Sequence, residues 1–540
     1  MKKMPLIAFC FSLLIASEFP VASAESISKP IVAAHYFGQH WPKNFLSAFR
    51  REYVLKDFQQ LREDGFNTVI LLVSWGDFQP VIVPCCQWDE RAFARLQFLL
   101  DTAAQADLRV ILRVGYGWSL NPHAEPALQR IHQLLNNEAT RAIFLKFIER
   151  LGRSLETSPQ VILTFMSWED QWLHQIDPEA RATFDDFASL LPSGMRPSFN
   201  TPLPTANGEN AALFHAYWDW LVMTQLYQPA EKLLPSLSYE IRIDKDPIEK
   251  NSANQPITWL DHRAMYRQVG TAPVTIYWAP FWGAENVGEQ LSAARGNELL
   301  TALLRETQAF SGQHRAIFID QFNVVDNTPG HERNAILAPN ALEDFLNTTT
   351  CTLKQQNVIG YGYWTTRDYR ESPVYNPSFS LGLDGWQLTS IHSEALQWLP
   401  NQDAELQLST GDVLEQTITH AVGRLPTRAD TQTDRICIEV SATSIGSLTV
   451  TAGDPNAVTQ LRFSADANPM QCAEIVSVPQ NNQLTLRIVA NPETTVRLHG
   501  VWFFDHIQYG GLYDVNGNHG DLYRLLVQFN QAFQNEQNCR

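Results

Sequence analysis

Short apolar runs alternate with longer amphipathic stretches from Ile31 to about Trp364, and this alternation constrains the fold more than any other feature. The runs have the length of β-strands and the stretches have the length and periodicity of helices, which is typical of repeated βα units. Eight runs are candidate strands: Val32–Phe37, Thr68–Ser74, Leu108–Val114, Val161–Ser167, Leu237–Ile243, Val274–Trp278, Ala316–Asp320 and Val358–Trp364. The clearest helices between them are Arg91–Ala106, Thr140–Leu155, Leu213–Leu234 and Asn297–Gln308.

Eight parallel strands with helices outside them close into a (β/α)8 barrel, the TIM-barrel fold, whose active site lies at the carboxyl ends of the strands. A doubly wound open sheet is the structural alternative. That fold carries a glycine-rich phosphate loop after its first strand, and no such loop follows Val32–Phe37. We therefore predict the barrel.

The pattern changes after Pro377, and helical periodicity is lost up to about His499. Short alternating strands separated by polar turns replace it, which predicts a β-sandwich. The candidate strands are Glu405–Leu408, Arg435–Ser441, Ser447–Thr451, Leu484–Val489 and Thr495–Leu498. Helical periodicity resumes only at Gly520–Phe533.

The fourth candidate strand ends in a carboxylate, Glu169, with Trp168 and Trp172 beside it. Removing an unpaired carboxylate from water costs several kcal/mol or raises its pKa, so a buried strand has no structural need for one. Glu169 is therefore a candidate acid in a sugar-binding cleft. The alternative is a carboxylate that caps the next helix, because Asp and Glu are favoured at helix N-termini.

The ends of the other candidate strands also carry polar or aromatic residues. A single tryptophan at such a position is more often a packing residue than a ligand contact, but all eight strands carry such residues at the same end, which favours a binding cleft. The candidate contacts are His35, Trp75, Arg113, Trp118, Trp168, Tyr277, Trp278, Asn323, Trp364, Arg367 and Asp368, and the candidate carboxylates besides Glu169 are Glu240 and Asp320.

The net charge argues against a polyanionic partner. The chain has 40 Lys and Arg against 57 Asp and Glu, a formal charge of −17. An acidic protein lacks the basic surface that binds nucleic acid, and a neutral or cationic ligand fits it better. No CxxC or HxxH spacing supports a zinc site, and we expect no metal and no cofactor.

The first 24 residues have the features of a secretory signal peptide. Lys2 and Lys3 form a basic start, Leu6–Ala16 is apolar, and Ala22–Ala24 is a small-residue cleavage site. The apolar part is too short to span a bilayer, and no later segment is long and apolar enough to do so. We expect cleavage near Ala24 and export to the periplasm or the extracellular space.

Export permits disulfide bonds. Cys437 and Cys472 lie in strand-like segments of one late region and are the favoured pair, and Cys351–Cys539 is a further possibility. Cys85 and Cys86 are adjacent in sequence, so a bond between them is not expected.

The order of these motifs resembles the (β/α)8 glycoside hydrolases of the large retaining clan, the cellulase- and β-galactosidase-like enzymes. In that clan an acid/base Glu ends the fourth strand, an aromatic residue the sixth, a nucleophile the seventh and a Trp the eighth. Glu169, Tyr277, the segment Asp320–Asn323 and Trp364 stand at these places. The resemblance implies that Tyr277 holds the nucleophile by a hydrogen bond.

The carboxyl-terminal part resembles the clan as well. Residues 376–386, NPSFSLGLDGW, are similar to the start of a jelly-roll carbohydrate-binding-type module, and residues 510–523 to the clan's closing segment. This implies a signal peptide at 1–24, a barrel at 25–375, a sandwich at 376–504 inserted between strand 8 and helix 8, and a return to the barrel at 505–540. Insertion into a surface loop costs little closure entropy.

The sequence departs from the clan at two positions. Trp168 stands where Asn usually precedes the acid/base residue, and Gln321 stands at the nucleophile position, where an amide cannot attack an anomeric carbon as a carboxylate can. Asp320 is adjacent, but neighbouring strand residues point to opposite faces unless the strand bulges. Three interpretations stay open: Asp320 replaces the nucleophile, Glu240 does so from the fifth strand, or the second carboxylate is missing.

We therefore expect an exported retaining glycosidase that acts on an oligo- or polysaccharide, with Glu169 as acid/base and Asp320 or Glu240 as nucleophile. Glu240 has a plain structural alternative, a buried ion pair with Arg242. The rival interpretation of the whole protein is a catalytically impaired glycan-binding or scaffolding protein on a hydrolase fold. A transglycosylase would need the same carboxylates.

Overall fold

The computed structural model describes residues 29–38, 45–115, 121–167, 175–198, 201–241, 245–250, 256–261, 273–280, 289–311, 315–324, 335–390, 395–399, 404–419, 434–465, 468–478, 480, 483–504, 506–508 and 510–535. The signal peptide predicted for residues 1–24 lies outside these residues.

Eight parallel strands form the first domain. They are β1 (Ile31–His35), β2 (Thr68–Val73), β3 (Arg109–Val114), β4 (Val161–Met166), β5 (Leu237–Tyr239), β8 (Val274–Trp278), β10 (Ile317–Phe322) and β12 (Val358–Tyr363). Their order in the sheet is β5-β4-β3-β2-β1-β12-β10-β8, and a parallel bridge from Glu240 to Thr275 joins the two edges. The prediction of a (β/α)8 barrel is confirmed.

Short paired strands lie in the loops of the barrel. They are β6 (Lys245–Lys250) with β7 (Pro256–Asp261), and β9 (Gln290–Leu291) with β11 (Ile336–Leu337). The helices are α1 (Arg51–Glu63), α2 (Trp75–Phe78), α3 (Glu90–Gln105), α4 (Ala127–Asn136), α5 (Glu138–Leu155), α6 (Arg181–Leu190), α7 (Ala211–Trp220), α8 (Gln228–Glu231), α9 (Ala293–Ser311), α10 (Leu342–Gln355) and α11 (Tyr523–Gln534).

The predicted helices are found, with one change. The stretch Leu213–Leu234, predicted as one helix, consists of α7, a π-helical segment at Leu221–Tyr227, and α8. Pro229 near the start of α8 lacks a backbone N–H, so a regular α-helical ladder cannot run through this stretch unchanged. Among the described residues no helix combines the length and apolar character needed to cross a membrane.

The strands are apolar because helices cover the outside of the sheet and side chains fill its inside. β2 is buried along its whole length, as expected for a parallel strand that is covered on both faces. α3 buries Phe93, Leu96, Leu99 and Leu100 on one face, and the Asp89 side chain accepts a hydrogen bond from the backbone N–H of Arg91 at its start.

The second domain is a sandwich of two antiparallel sheets. One has the order β14-β17-β22-β19-β20 and the other β15-β16-β23-β18-β21. The strands are β14 (Gln387–Thr389), β15 (Leu396–Trp398), β16 (Ala404–Ser409), β17 (Val413–Thr419), β18 (Arg435–Val440), β19 (Gly446–Ala452), β20 (Thr459–Phe463), β21 (Met470–Glu474), β22 (Gln483–Ala490) and β23 (Thr495–Phe504). The predicted sandwich is confirmed, although β14, β15, β17, β20 and β21 were not among the predicted strands.

The chain enters and leaves the sandwich side by side. β13 (Tyr369–Glu371) pairs antiparallel with β24 (His506–Gln508), so both connections leave the barrel at one place. After β24 the chain returns to the barrel, where α11 packs Phe529 against Tyr361 at a ring distance of 5.0 Å. The Tyr361 hydroxyl donates a 2.6 Å hydrogen bond to Asn530 Oδ1 of α11. The sandwich strands therefore stand in the chain between β12 and the helix that packs on it.

Disulfide bonds follow the prediction in one case and contradict it in another. Cys437 and Cys472 are directly opposite each other on β18 and β21 and are bonded, as predicted. Cys85 and Cys86 are also bonded, so our expectation about this pair was wrong: the backbone turns between them and brings their Cα atoms to 3.0 Å. Cys351 is disulfide-bonded as well, while Cys539 lies outside the described residues.

Ion pairs join the two domains: Arg91 of α3 contacts Asp384 at 3.1 Å, and Arg50 contacts Glu439. Arg50, which precedes α1, donates from Nη1 to both carboxylate oxygens of Glu439 on β18, at 2.8 and 2.9 Å. The side chains are only 10% and 17% exposed, whereas Glu52, the other partner of Arg50, is 46% exposed. Because hydrogen bonds to charged groups are strongest when water is excluded, the bond to Glu439 matters more for the domain contact than the bond to Glu52.

We expect Glu439→Gln to lower the free energy of unfolding by about 1–3 kcal/mol, because it removes the more shielded of the two carboxylates that pair with Arg50. Glu52→Gln is the matched control and should change it by less than about 0.5 kcal/mol. Chemical denaturation of both variants measures the difference. Equal effects of the two substitutions would contradict the assignment.

Candidate active site

The inside of the barrel is divided into two layers. Ala33, Ile111, Phe165 and Phe318 belong to an apolar cluster inside the barrel. Two residues further along the chain from each of them, on the same face, stand His35, Arg113, Ser167 and Asp320, all buried. Ionisable groups are therefore concentrated at the carboxyl ends of the strands, where barrel enzymes place their chemistry.

A β-bulge turns Asp320 and Gln321 toward the same side. On β10, Ile319 pairs with Ile276 and Gln321 with Tyr277, so one extra residue is accommodated at Asp320. The pairing of β10 with β12 shifts over the same stretch. An extra residue breaks the alternation of faces, which is the condition under which both side chains can reach the barrel interior.

A glycine on β12 makes room for this bulge. A Cβ placed on Gly362 would lie 2.4 Å from the backbone oxygen of Asp320 and 2.3 Å from Ile70 Cδ1. Any larger residue there would displace the strand that carries the two side chains.

Arg113 is the centre of the polar layer. Its Nη2 donates to Glu240 Oε2 at 2.9 Å and to Ser167 Oγ at 2.8 Å, and its Nε also reaches Ser167 Oγ at 3.2 Å. The Gln321 side-chain oxygen accepts from Arg113 Nη1 at 2.8 Å. The guanidinium thus connects β3, β4, β5 and β10, with 1% of its side chain exposed.

Glu240 is held by its backbone as well as by Arg113. Its N–H donates to the Met166 carbonyl at 3.0 Å, and the following N–H of Ile241 donates to Thr275 at 2.9 Å. Glu240 thus stands where the barrel closes, and its side chain is 3% exposed. Its ion-pair partner among the described residues is Arg113, whereas Arg242, the partner considered from the sequence, lies outside them.

Asp320 lies beside Glu240 and is completely buried. Burial first, and then the negative charge of Glu240, raise the pKa of the Asp320 carboxyl well above its usual range, while Arg113 and the Gln321 amide act in the opposite direction. Two carboxylates side by side cannot both be ionised at low cost. Ionisation of Asp320 is therefore disfavoured.

His35 supports this layer in its neutral form. Its Nε2 lies 2.6 Å from the backbone oxygen of Asp320, so the protonated Nε2 donates to that carbonyl. Burial first, and then the nearby Arg113 charge, lower the pKa of His35 to about 3. The ring contacts the Trp364 ring at 5.0 Å, which places half-buried Trp364 at the same end of the barrel.

Tyr277 and Asn323 also lie at this end. Tyr277 is half-buried, shares a strand face with Thr275 and stands in register with Gln321. The Asn323 N–H donates to the Trp278 carbonyl at 3.0 Å, directly after β10. Both positions are compatible with the contacts predicted for them.

Two predicted tryptophan contacts are elsewhere. Trp75 is buried in α2, donates from Nε1 to Gln79 Oε1 at 2.8 Å, and packs under Arg130. Trp278 is also buried and stacks on Phe345 of α10 at 5.3 Å. The sugar stacking expected for them does not fit, because both rings are buried against helices outside the barrel, Trp75 on Phe144 of α5 and Trp278 on Phe345 of α10.

Arg367 and Asp368 have structural partners as well. Arg367 is buried and pairs with Asp57 of α1 at 3.1 Å. Asp368 accepts from the backbone N–H of Gly511 at 2.8 Å, and burial raises the pKa of Asp368 to about 6. They hold the chain that returns from the sandwich, and the sugar contacts predicted for them stay predictions.

The predicted acid/base residue lies outside the described residues. Glu169 and Trp168 fall in the range 168–174 and Trp118 in the range 116–120, none of which is among the described residues. Ser167, the last described residue before Glu169, is the contact that sequence reasoning missed. The sequence feature that could have identified Ser167 is its position two residues after Phe165, which puts it on the interior face of the barrel beside Arg113.

Within the described residues no cluster of three or more His, Cys, Asp or Glu side chains could hold a metal ion. No protein-family model matches the chain, and none of the curated proteins matches it.

Several solved structures share part of the fold. The exo-beta-1,4-mannosidase Op5Man5 from Opitutaceae bacterium strain TAV5 matches with 15% identity and a TM-score of 0.42 over 64% of this chain and 53% of its own. A GH5_18 protein from Streptomyces cattleya, in complex with GlcNAc, matches with 15% identity and a TM-score of 0.42, over 63% and 71%. The glycoside hydrolase family 5 mannosidase from Rhizomucor miehei matches with 13% identity and a TM-score of 0.37, over 63% and 82%. A likeness of this size transfers neither a substrate nor a residue role to this chain.

We expect Arg113→Met to lower the free energy of unfolding by about 3–5 kcal/mol, because it leaves the Glu240 carboxylate buried without its cation. The double variant Arg113→Met with Glu240→Met should recover most of this loss, since both charges are then gone. Denaturant unfolding of the two single variants and the double variant gives the coupling. Additive losses would contradict a direct pair.

Asp320→Asn should stabilise the protein by about 1–2 kcal/mol at pH 8, because it removes a carboxyl group that is costly to ionise when buried. The native state binds the Asp320 proton more tightly than the unfolded chain does. The free energy of unfolding of the wild type therefore falls relative to that of the variant as the pH rises above about 4. The difference between the two proteins is smallest near pH 4.

Thermal unfolding at pH 4, 6 and 8 measures this difference. Asp107→Asn, at an aspartate whose side chain is 86% exposed, is the control and should stay within about 0.5 kcal/mol at each pH. An Asp320→Asn advantage that does not grow with pH would contradict the assignment.

Proposed function

We propose that this chain is an exported glycoside hydrolase that cleaves O-glycosidic bonds of an uncharged oligo- or polysaccharide. One observation carries the proposal: Glu240 and Asp320, in contact with each other beside Arg113, stand inside the barrel at the carboxyl ends of the strands. A buried pair of carboxyl groups contributes little to stability, and such clusters in barrels occur where chemistry is done.

In the proposed mechanism Glu169, from the end of the fourth strand, donates a proton to the leaving oxygen. A second carboxylate attacks the anomeric carbon, and Glu169 then acts as base toward the water that releases the product. This is the retaining course. Tyr277 and Trp364 lie at the same end of the barrel and are the proposed contacts to the reacting groups and the sugar.

The electrostatics of the cluster favour Glu240 as the attacking group. The sequence ranks Asp320 first, but burial beside another carboxyl raises the pKa of Asp320, which disfavours the ionised form that attacks. Glu240 is the member that forms the ion pair with the Arg113 guanidinium, at 2.9 Å.

Export is part of the proposal. The signal-like first 24 residues support it, and the Cys437–Cys472 and Cys85–Cys86 bonds are compatible with an oxidising compartment.

A second candidate is a glycan-binding protein that has lost catalysis. Gln321 favours it, because the residue at the expected nucleophile position is an amide that accepts from Arg113 and has no nucleophilic carboxylate. The two candidates differ in turnover, which can be measured directly.

Wild-type protein should hydrolyse at least one member of a panel of 4-nitrophenyl β-glycosides or neutral polysaccharides. Glu169→Gln should lower kcat/KM by about 10²–10⁴-fold, as expected for loss of a general acid. Glu240→Gln should lower it by about 10⁴-fold or more, as expected for loss of a nucleophile. Asp320→Asn should retain more activity than Glu240→Gln.

Glu405→Gln is the matched control. Glu405 is a buried carboxylate of the sandwich that binds His499 at 2.8 Å, so its loss affects stability without touching the barrel. It should leave kcat/KM within about 2-fold of wild type. A larger loss of kcat/KM in Asp320→Asn than in Glu240→Gln would assign the nucleophile to Asp320. Wild-type protein that binds a glycan without turnover would establish the second candidate. Proton NMR of the first product gives the anomeric outcome.

A further inference from the structure

A cavity lies between the barrel and the sandwich. One wall comes from the segment between β1 and α1 and from the start of α1, and the other from β18, β21 and β23. Its volume is about 80 Å³, several times the roughly 10–15 Å³ that one water molecule needs. The two domains together therefore leave room for a small ligand.

The walls of this cavity are largely aromatic. Phe45 and Phe49 line it on the barrel side, and Met470 and Trp502 line it on the sandwich side. The Trp502 ring lies over the backbone of β23 at Gly500, where a Cβ would be only 2.0 Å from the ring. Glycine at this position thus allows the ring to lie against the strand and to form part of the wall.

A disulfide bond supports the sandwich wall. Cys437 stands opposite Trp502 on the neighbouring strand, and its bonded partner Cys472 follows Met470 by two residues, on the same face of β21. Cys437, Trp502 and Met470 pack together in one apolar cluster. A wall that is already ordered loses little conformational entropy when a ligand binds to it.

The cavity also has a polar side, formed by the ion pair between Arg50 and Glu439. Arg50 donates one hydrogen bond to each carboxylate oxygen, which uses two of the roughly four acceptor positions of Glu439. The carboxylate can therefore accept further hydrogen bonds from hydroxyl groups. Since the two charges balance, the pair does not favour a charged ligand.

Ring contacts connect the cavity to the proposed active site. Tyr36 and Gly38, which follow β1 at its carboxyl end, line the cavity. Phe37 lies between them in the chain and contacts both Trp364, at 5.0 Å, and Phe45, at 6.4 Å. One aromatic ring therefore stands between the lining of the cavity and Trp364, the proposed sugar contact.

We propose that the interdomain cavity binds one neutral sugar unit, with the apolar face of the ring against the aromatic walls and its hydroxyl groups on Arg50 and Glu439. A wholly apolar ligand would bury the ion pair without hydrogen-bond partners, and a charged ligand would compete with it. A sugar has both an apolar face and hydroxyl groups. The choice of this ligand class rests on the proposed function, and the unit is either a free sugar or one unit of a longer chain.

Three methionines allow the site to be tested without turnover. Met470 lines the cavity, the carbonyl of Met166 accepts from the Glu240 N–H in the barrel, and Met195 is 68% exposed. The full chain, labelled with ¹³C at the methionine methyl groups, is titrated by NMR with methyl glycosides of mannose, glucose, galactose and xylose and with the corresponding tetrasaccharides. Met→Leu variants assign the signals. At least one sugar should shift the Met470 signal to saturation and leave the Met195 signal unchanged.

Two variants test whether the cavity is the site. Ala48→Phe places a ring in the cavity that Ala48 lines, so it should weaken the binding seen at Met470 by about 10-fold or more. Its control is Ala104→Phe, at an exposed alanine of α3, which should bind as the wild type does. Glu439→Gln should weaken binding by about 5-fold or more, because it removes a charged acceptor.

Glu405→Gln is the control for Glu439→Gln. It removes a carboxylate of the same sheet that pairs with His499, and it should leave sugar binding unchanged. Near-UV circular dichroism checks that each variant is folded. If Ala48→Phe does not fold, the comparison of Glu439→Gln with Glu405→Gln decides.

The outcomes separate the cavity from the proposed hydrolase activity. Equal affinity for a methyl glycoside and its tetrasaccharide would assign a free sugar, and tighter binding of the tetrasaccharide would assign a unit of a chain. A Met470 shift without turnover of any glycoside would support the cavity site and count against the hydrolase. A shift at Met166 alone, no Met470 shift with any sugar, or a Met470 shift that folded Ala48→Phe and Glu439→Gln leave unchanged would overturn the proposed cavity site.

Discussion

The carboxyl end of the barrel depends on one buried cation. Arg113 contacts Glu240, Ser167 and Gln321, which come from three other strands or their ends, and it is the cation that the described part of the chain places beside the two carboxyl groups. Buried charges are tolerated only where they are paired and hydrogen-bonded. Arg113 therefore makes possible both the closure of the barrel at Glu240 and the presence of a second acid, Asp320, beside it.

The two layers inside the barrel divide stability from chemistry along each strand. The amino-terminal layer packs apolar side chains and needs no water-filled space, which provides a rigid base. The layer above it concentrates groups that would be unfavourable anywhere else in the core. The change occurs over two residues on β1, β3, β4 and β10, so the same strand supplies both the support and the reactive group.

Much of the fold followed from periodicity, because strand and helix patterns are local properties. The eight barrel strands and the sandwich were predictable for this reason, whereas the π-helical segment Leu221–Tyr227 was not, since its residues continue the helical periodicity of the stretch around them. The site was predictable only in part. Sequence order brought Glu240, Arg113 and Asp320 to one end of the barrel, but the contact between β3 and β5 side chains is a long-range property.

The tryptophans show most clearly what could not be predicted from the sequence alone. Trp278 ends β8 and Trp364 follows β12, yet Trp364 contacts His35 whereas Trp278 faces the helices, because one residue of register decides which side of a strand faces inward. Trp75 lies in α2 and is buried there. The sequence indicated only that Asp320 and Gln321 could face the same side if the strand had a bulge; it did not show that the bulge exists. Gly362 leaves room for the bulge, but this role cannot be recognised in the sequence until the neighbouring strand is known.

The path of the chain through the sandwich has a consequence for biosynthesis. α11, which packs on β12 and contributes Phe529 and Asn530 to the barrel, is separated from β12 by the whole sandwich. During translation the barrel strands leave the ribosome first, but the helix that covers them arrives only after the sandwich has been made. The amino-terminal domain is thus the last to be completed. The sandwich is contiguous in sequence, so it can fold before the final helix of the barrel has been synthesised.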